Sequence, residues 1–188
     1  MSAVAFDNTM LSILLNPEGK VPNDRATGEP VIFAQERAQA IVLQIQKERR
    51  KIVIPTPALA ELLTVIGPDA QQYVNMIGRS RVFDIASFDA KCAAELALLN
   101  RDTFASHDRK TKLEPYQKIK IDRQIIAICR ANGVAEIYTD DRGLSERARM
   151  CGVVAIGIAD CPIPEGVRQG SFDLQPHEAI PKSEDLGE

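Results

Sequence analysis

Five acidic residues of this chain have positions that suit shared chemistry. Asp7 directly follows the apolar segment 4–6, and Asp140 and Asp141 directly follow the segment 136–139. Glu61 and Asp122 lie among apolar residues at helical spacing. Each acid alone has a simpler interpretation, since Asp7 or Asp141 could cap a helix and Glu61 could face solvent. Their convergence at one place would be harder to explain by structure alone.

Asp122 is expected on the apolar face of its helix. Ile119, Ile125 and Ile126 stand at helical spacing around it. If the helix starts just before Asp122, the acid is stabilised by the helix dipole. If the helix starts nearer Tyr116, the carboxylate faces the sheet and needs a partner. That apolar stripe carries no lysine or arginine, so a metal ion is the expected partner.

A cluster of these carboxylates would bind a hard divalent cation. Like charges a few ångströms apart cannot all stay ionised, and a cation removes the repulsion. Ligands that are all oxygen select Mg²⁺ or Mn²⁺, which keep water molecules for a nucleophile and for substrate phosphate. The corresponding reaction is hydrolysis of a phosphodiester by a metal-activated water.

Alternating short and long segments must position these acids. Short β-branched segments alternate with segments of helical periodicity, which predicts an α/β fold with a parallel sheet covered by helices on both faces. Ligands bind beyond the carboxyl ends of such strands, where Asp7, Asp140 and Asp141 are expected. The predicted strands are 4–6, 52–54, 82–85, 136–139 and 153–157. The predicted helices are 9–15, 31–50, 57–66, 70–78, 88–104, 118–131 and 142–151.

Three residues are expected to mark helix ends. Thr56 is predicted to cap the helix that begins at Pro57. Gly133 and Gly152 stand where two helices should stop.

Three segments lie outside the alternating pattern. Residues 16–30, with three prolines and two glycines, are expected to form a loop, and residues 106–120 are polar and rich in basic residues. After Cys161, prolines and glycines leave no room for a long regular element. The sequence therefore predicts one domain over 1–161 and an acidic Pro/Gly-rich tail over 162–188.

Composition excludes several classes of protein. Hydrophobic residues make up 45% of the chain and charged residues 26%, which rules out wholesale disorder. We expect a cytoplasmic protein, because there is neither a signal peptide nor an apolar run near the roughly 18 residues of a membrane span. The four cysteines form no CxxC pair and are expected to be reduced core residues. Two separated histidines, His107 and His177, argue against a histidine metal site or a Ser-His-Asp triad.

The order and setting of the acids resemble the PIN-domain family of metal-dependent nucleases, most of all the branch with the VapC-type toxin ribonucleases. The resemblance covers 4–159 and rests on Asp7-x-Thr9, Glu61, Asp122-x-x-Ile125-Ile126-Ala127 and Ile137-Tyr138-Thr139-Asp140-Asp141. It implies a three-layer α/β/α fold with a five-stranded parallel sheet in the order 3-2-1-4-5 and one or two Mg²⁺ or Mn²⁺ ions. The chain departs from compact toxins in its longer 16–30 and 106–120 segments, in Leu144 where an aromatic is common, and in its tail.

The resemblance implies a role for each acid. Asp7, Glu61 and Asp122 match the first three family acids, and Asp141 matches the aspartate of the family's Thr-x-Asp, with Asp140 beside it. Asp7, Asp122 and Asp141 would be the principal metal ligands, and Asp140 an accessory ligand. Glu61 would hold a second ion or accept the proton of the attacking water.

Substrate contacts are expected from basic residues. Between residues 101 and 130, basic residues outnumber acidic ones eight to four, which is typical of a solvated loop or of a rim that guides phosphates. Tyr116 could stack a base. The net charge of −3 does not exclude nucleic acid, because the tail and the five site acids supply the acidic excess. The residues expected to bind substrate are Thr9, Arg109, Lys110, Lys112, Lys118, Lys120 and Arg123, and Thr9 also matches the family hydroxyl that steadies the first acid.

The sequence thus predicts a Mg²⁺- or Mn²⁺-dependent endoribonuclease, with single-stranded DNA also admissible as substrate, that could be the toxin of a type II toxin–antitoxin pair. The resemblance leaves room for a cognate antitoxin or other regulatory protein and for a homodimer. One alternative is a non-catalytic PIN-like module that binds RNA or protein. The other is a haloacid-dehalogenase-type phosphohydrolase, which would use Asp7 as nucleophile but expects a second aspartate where Thr9 stands.

Overall fold

The structure, a computed structural model, describes residues 3–16, 19–104 and 115–168. The strands are β1 (Val4–Phe6), β2 (Ile52–Pro55), β3 (Phe83–Ala86), β4 (Glu136–Tyr138) and β5 (Val154–Ile156). The α-helices are α1 (Asn8–Leu15), α2 (Ala34–Lys47), α3 (Thr56–Ile66), α4 (Ala70–Arg79), α5 (Ala90–Leu99), α6 (Tyr116–Ala131), α7 (Arg142–Met150) and α8 (Glu165–Arg168). Single 3₁₀ turns cover Gly67–Asp69 and Ile158–Asp160, and a π-helical turn covers Asn100–Phe104.

All five strands pair in parallel, in the order β3-β2-β1-β4-β5. The central strand β1 places Ala5 opposite Val53 of β2 on one side and opposite Ile137 of β4 on the other. The strand order reverses between β1 and β4, which opens a crevice at the carboxyl ends of these two strands. The predicted α/β class, sheet and strand order are confirmed, and Asp7 and Asp140 follow the two strands that flank the crevice.

Each face of the sheet is covered by its own hydrophobic core. Successive β1 residues point to opposite faces, so Val4 and Phe6 join one core and Ala5 joins the other. The first core is completed by α1, α2 and α3, and the second by α5, α6 and α7. This double burial explains why the strands read as continuously apolar segments, and it confirms the three-layer arrangement.

Some predicted helix limits differ from the observed ones. Thr56 does not cap α3: it is the first helical residue, and Pro55 precedes it without a side-chain cap. The predicted helix 88–104 is α5 followed by the π-helical turn. Gly133 and Gly152 do follow helix ends, with φ of +67° and +75°, a conformation that glycine adopts at little cost.

The predicted loop and tail are described only in part. Residues 19–30 form a loop with one isolated bridge between Asn23 and Pro30. Within the predicted 106–120 segment, α6 already begins at Tyr116, and residues 106–114 lie outside the described part of the chain, as do His107 and His177. The four cysteines are free and buried, as expected. No helix in the described ranges has the length and apolar character needed to cross a bilayer.

Candidate active site

Asp7 is a buried carboxylate held by neutral donors. It lies at the carboxyl end of β1, caps α1 and is only 3% exposed. Its Oδ1 accepts hydrogen bonds from the Met10 N–H (3.0 Å) and the Thr9 hydroxyl (2.7 Å), and its Oδ2 accepts one from the Thr139 hydroxyl (2.5 Å). Burial raises the pKa of Asp7 from 3.8 to about 6, although these donors lower it, and the charge of Asp140 raises it further. Asp7 is therefore both a helix cap and a destabilised anion.

Two threonine hydroxyls join the ends of β1 and β4. The Thr9 hydroxyl accepts the Asp140 N–H at 2.9 Å, and the Thr139 hydroxyl accepts the Asp141 N–H at 3.1 Å. Both hydroxyls also donate to Asp7, so one network fixes the first acid and the backbone of the acidic pair. Thr9 donates to Asp7, as the family resemblance implies for the hydroxyl at this position. The role of Thr139 was missed, although its place directly before the acidic pair could have indicated it.

Asp141 and Glu61 both sense the charge of Lys118. Asp141 caps α7 through the Leu144 N–H (2.9 Å), and its Oδ2 lies 2.7 Å from Lys118 Nζ. Burial would raise the pKa of Asp141, but Lys118 and the cap hold it below its ordinary value. Glu61 is half-buried on α3; burial and the charge of Asp141 raise its pKa, and Lys118 lowers it. Glu61, Asp141 and Lys118 are thus close enough to sense one another.

Asp140 is bound to the segment that directly follows β5. Its carboxylate accepts the Ile158 N–H at 3.1 Å. Burial raises the pKa of Asp140, which the Ile158 N–H and Arg25 oppose and the charge of Asp160 reinforces. Asp140 is therefore coupled both to Asp7 and to Asp160, whose own carboxylate accepts the Gly157 N–H.

Asp122 has a partner that sequence reasoning missed. It is 4% exposed on α6, and its Oδ2 lies 2.6 Å from a guanidinium nitrogen of Arg147 on α7, itself 5% exposed. The apolar setting of Asp122 is as predicted, because α6 begins at Tyr116. The conclusion that its charge required a metal ion does not follow, because an arginine from another helix neutralises it. Nothing in the spacing along α6 could indicate that partner.

The carboxylate oxygens of the site are ligands that suit a hard cation. The observed positions of these side chains are only partly suitable for holding one. Within the described residues, no three acidic, histidine or cysteine side chains form a metal-ligand group. The acids lie instead in coupled pairs, Asp7 with Asp140 and Glu61 with Asp141, while Asp122 binds Arg147. The first four present only carboxylate oxygens, which suit Mg²⁺ or Mn²⁺. A cation held by both pairs requires side-chain rotation, and Lys118 would have to leave Asp141.

The basic residues expected to bind substrate are described only in part. Arg109, Lys110 and Lys112 lie outside the described residues. Lys118 contacts Asp141, as described above. On the neighbouring face of α6, the Lys120 ammonium lies 4.6 Å from the ring centre of Tyr116, which is 63% exposed, and Arg123 covers the Phe104 ring at 4.5 Å. Among these described basic residues, Lys118 contacts a site acid, whereas Lys120 and Arg123 lie over aromatic rings.

Comparisons with known proteins identify the fold. No protein-family model matches the sequence, and no curated protein matches it significantly. The chain is similar to VapBC2 from Rickettsia felis bound to a promoter DNA fragment, with a TM-score of 0.53 at 14% identity, covering 82% of this chain and 98% of that one. It is similar to DNA-bound VapBC from Salmonella typhimurium, with a TM-score of 0.51 at 14% identity, covering 84% and 99% of the two chains.

A third similar structure is VapC20 of Mycobacterium tuberculosis, described as a toxin that cleaves the sarcin-ricin loop. Its TM-score is 0.52 at 15% identity, and the match covers 85% of this chain and all of that one. At such identities the likeness concerns the fold. The chain therefore has the fold of the VapC PIN-domain toxins, which confirms at this level the resemblance predicted from its sequence.

Proposed function

We propose that this chain is a divalent-metal-dependent ribonuclease of the VapC type. The observation that carries the proposal is the state of Asp7, an acid buried at the crevice of the sheet with a pKa of about 6 and no described lysine or arginine bound to it. A carboxylate kept in that state is destabilised until a cation approaches. Its place after the central strand of a PIN-like sheet supports a catalytic use.

The acids divide the work in this proposal. Asp7, Glu61 and Asp141 would hold Mg²⁺ or Mn²⁺, with Asp140 as accessory ligand. When bound, the ion would lower the pKa of a coordinated water and offset the charge of the scissile phosphate. Thr9 and Thr139 would keep the Asp7 carboxylate oriented.

Glu61 has a second proposed role, and Lys118 and Asp122 have roles of their own. Glu61, whose pKa is raised, would accept the proton of the attacking water. Lys118, released from Asp141 by the cation, would contact a substrate phosphate. Asp122, expected from the sequence to be a principal ligand, would join the ligands only by leaving Arg147.

The biological setting is proposed from the structural neighbours. One is described as a toxin that cleaves the sarcin-ricin loop, and two are VapBC assemblies bound to DNA. By analogy we propose RNA as the substrate, an antitoxin as partner and the cytoplasm as location. A homodimer is a further proposal that awaits a measurement of molecular mass.

A non-catalytic binding module is the second candidate. It is favoured by the two ion pairs that already neutralise site acids, Lys118 with Asp141 and Arg147 with Asp122. In such a protein these pairs would be permanent, and no cation would replace Lys118.

The direct test is cleavage of an end-labelled structured RNA with Mg²⁺, Mn²⁺ or EDTA, beside single-stranded DNA of the same sequence. We expect metal-dependent cleavage of the RNA, abolished by EDTA and reduced at least about 100-fold in Asp7→Asn. Asp69→Asn is the matched control, since Asp69 is an exposed acid of the Gly67–Asp69 turn.

Three outcomes would count against the proposal. Cleavage that survives EDTA or Asp7→Asn would exclude the metal mechanism. RNA binding without cleavage under either metal would select the binding module. Preferential cleavage of the single-stranded DNA would show that DNA, and not RNA, is the substrate.

A further inference from the structure

An open groove lies directly beside Asp7. Its volume is about 520 Å³, and Asn8, Thr9 and Ser12 of α1 line its floor. The 19–30 loop contributes Lys20, Pro22 and Asn23, which together form the loop wall, and Asn16 after α1 and Val65 of α3 also line the groove. A volume of this size accommodates a single nucleotide.

The groove adjoins the acidic site without including any of its five acids. Thr9 lines the groove and donates its hydroxyl to Asp7, and Val65, which also lines it, stands one helical turn after Glu61. Val65 is 64% exposed, which leaves an apolar surface open at the groove. A strand whose phosphate lies at the acids would place a neighbouring nucleotide here.

The groove offers amide groups that suit a nucleobase. The side chains of Asn16 and Asn23 make no hydrogen bond with any residue in the described ranges. Each carries an acceptor oxygen and a donor nitrogen, the combination that pairs with the edges of unstacked bases. Lys20 adds an exposed cation at the wall. Polar groups directed at bases specify sequence, whereas cations only position the phosphates.

The loop that forms this wall is anchored. Arg25 donates from one guanidinium nitrogen to the Asp140 carbonyl (3.2 Å) and to the Ser145 hydroxyl (3.3 Å), more than a hundred residues along the chain. The Asp24 carboxylate accepts the Ala26 N–H at 2.8 Å, which closes a turn within the loop. The wall is thus tied to the same end of β4 that carries the acidic pair, as a subsite for an adjacent nucleotide requires.

We propose that this groove is a nucleotide subsite that reads the base next to the scissile phosphate through Asn16 and Asn23. The inference rests on the proposed ribonuclease function and adds its source of sequence preference. Val65 would contact the face of the base, and Lys20 the phosphate beyond it.

Binding without cleavage tests the subsite. In an Asp7→Asn background, fluorescence anisotropy would measure the affinities of four labelled RNA tetranucleotides, each made of one base. We expect the tightest to bind about tenfold more strongly than the weakest, because a mismatched base leaves amide groups unpaired. Replacing both amides (Asn16→Ala with Asn23→Ala) should shrink this ratio to about twofold. Asn75→Ala, an exposed amide on α4, should leave the ratio intact.

A second measurement protects the test against a misfolded variant. The side-chain amide NMR signals of Asn16 and Asn23 should shift on titration with the tightest tetranucleotide, and that of Asn75 should not. Three results would each overturn the subsite while leaving cleavage intact. They are an affinity ratio unchanged by the double substitution, amide signals of Asn16 and Asn23 that do not shift, and equal affinity for all four bases. Amide-dependent base preference in a protein that cleaves no RNA would instead overturn the ribonuclease function and retain the subsite.

Discussion

Asp7 and Asp122 are equally buried, but the protein treats their charges in different ways. Asp7, 3% exposed, receives hydrogen bonds from two hydroxyls and one backbone N–H. Asp122, 4% exposed, is joined to the guanidinium of Arg147 at 2.6 Å. Neutral donors offset only part of the cost of burying an anion, so the pKa of Asp7 rises to about 6. An arginine supplies the opposite charge directly.

The difference concerns how far each buried charge is already offset within the fold. The Asp7 carboxylate stores unfavourable energy that binding of a cation can release, whereas the charge of Asp122 is already offset within the fold. Burial alone therefore does not identify a functional carboxylate in this protein. The roles proposed for Asp7 and Asp122 differ because the donors around the two acids differ.

The largest expected effect comes from removing Arg147. Arg147→Met leaves Asp122 buried without its partner, which should lower the free energy of unfolding by about 3–5 kcal/mol. The measurement is urea denaturation followed by circular dichroism at neutral pH. The double variant Asp122→Leu with Arg147→Met should recover most of the loss, because apolar side chains of similar size often replace a buried ion pair at little cost.

The control for this experiment is Arg149→Met, two residues along α7, where the side chain is exposed and donates to the Ala155 carbonyl. It should cost under about 1 kcal/mol. If Arg147→Met were as mild as Arg149→Met, Asp122 would not depend on its arginine, and the contrast with Asp7 would disappear.

Removing the charge of Asp7 should raise the free energy of unfolding, whereas Arg147→Met should lower it. Its folded pKa of about 6 exceeds the ordinary 3.8, so the folded state binds more protons between these values and stability falls as the pH rises through that window. Above pH 6 the buried charge of Asp7 lowers the free energy of unfolding by about 3 kcal/mol at most. Below pH 3.8 this loss vanishes. Asp7→Asn should therefore stabilise the metal-free protein at neutral pH and have little effect in acid.

Urea denaturation in EDTA across that pH range measures the effect, with the exposed Asp69→Asn as the control. The difference between Asp7→Asn and wild type should grow from acid to neutral pH. A difference that is constant with pH, or a loss of stability at neutral pH, would show that the Asp7 carboxylate is not a destabilised anion.

Much of the fold follows from local sequence patterns. Continuous apolar segments such as Val4–Phe6 predict strands buried on both faces, and helical periodicity predicts the layers around them. The wrong predictions concern where helices begin and end. Thr56 looks like a cap in the sequence, yet α3 starts one residue earlier, directly after β2, which leaves no separate capping residue with a side-chain acceptor. Helix starts of this kind depend on how the preceding strand ends.

The candidate site was predictable in its position but not in its electrostatics. Strand ends place Asp7 and Asp141 at one edge of the sheet, and this needs only the parallel topology. The partners Arg147 and Lys118 come from other elements, at separations that no short pattern reveals. Helix packing, which places α6 against α7, decided which acids acquire a counter-ion.

Lys118 provides the smallest effect. Its ammonium lies 2.7 Å from the Asp141 carboxylate and its side chain is 41% exposed, so a divalent cation at Glu61 and Asp141 would compete with a partly solvated ion pair. Such pairs contribute about 0.2–1 kcal/mol, so Lys118→Met should tighten Mn²⁺ binding by about two- to fivefold. Titration calorimetry with Mn²⁺ measures this change without any substrate.

Lys120→Met, on the same helix but over the Tyr116 ring, is the matched control and should leave Mn²⁺ affinity unchanged. Asp7→Asn in the same titration should weaken binding, because it removes a carboxylate that has no cationic partner among the described residues. Asp122→Asn should change Mn²⁺ affinity less than Asp7→Asn, since the Asp122 charge is already held by Arg147. Equal losses in the two aspartate variants would mean that Arg147 gives way to the cation, and Asp122 would then be a metal ligand, as its sequence position suggests.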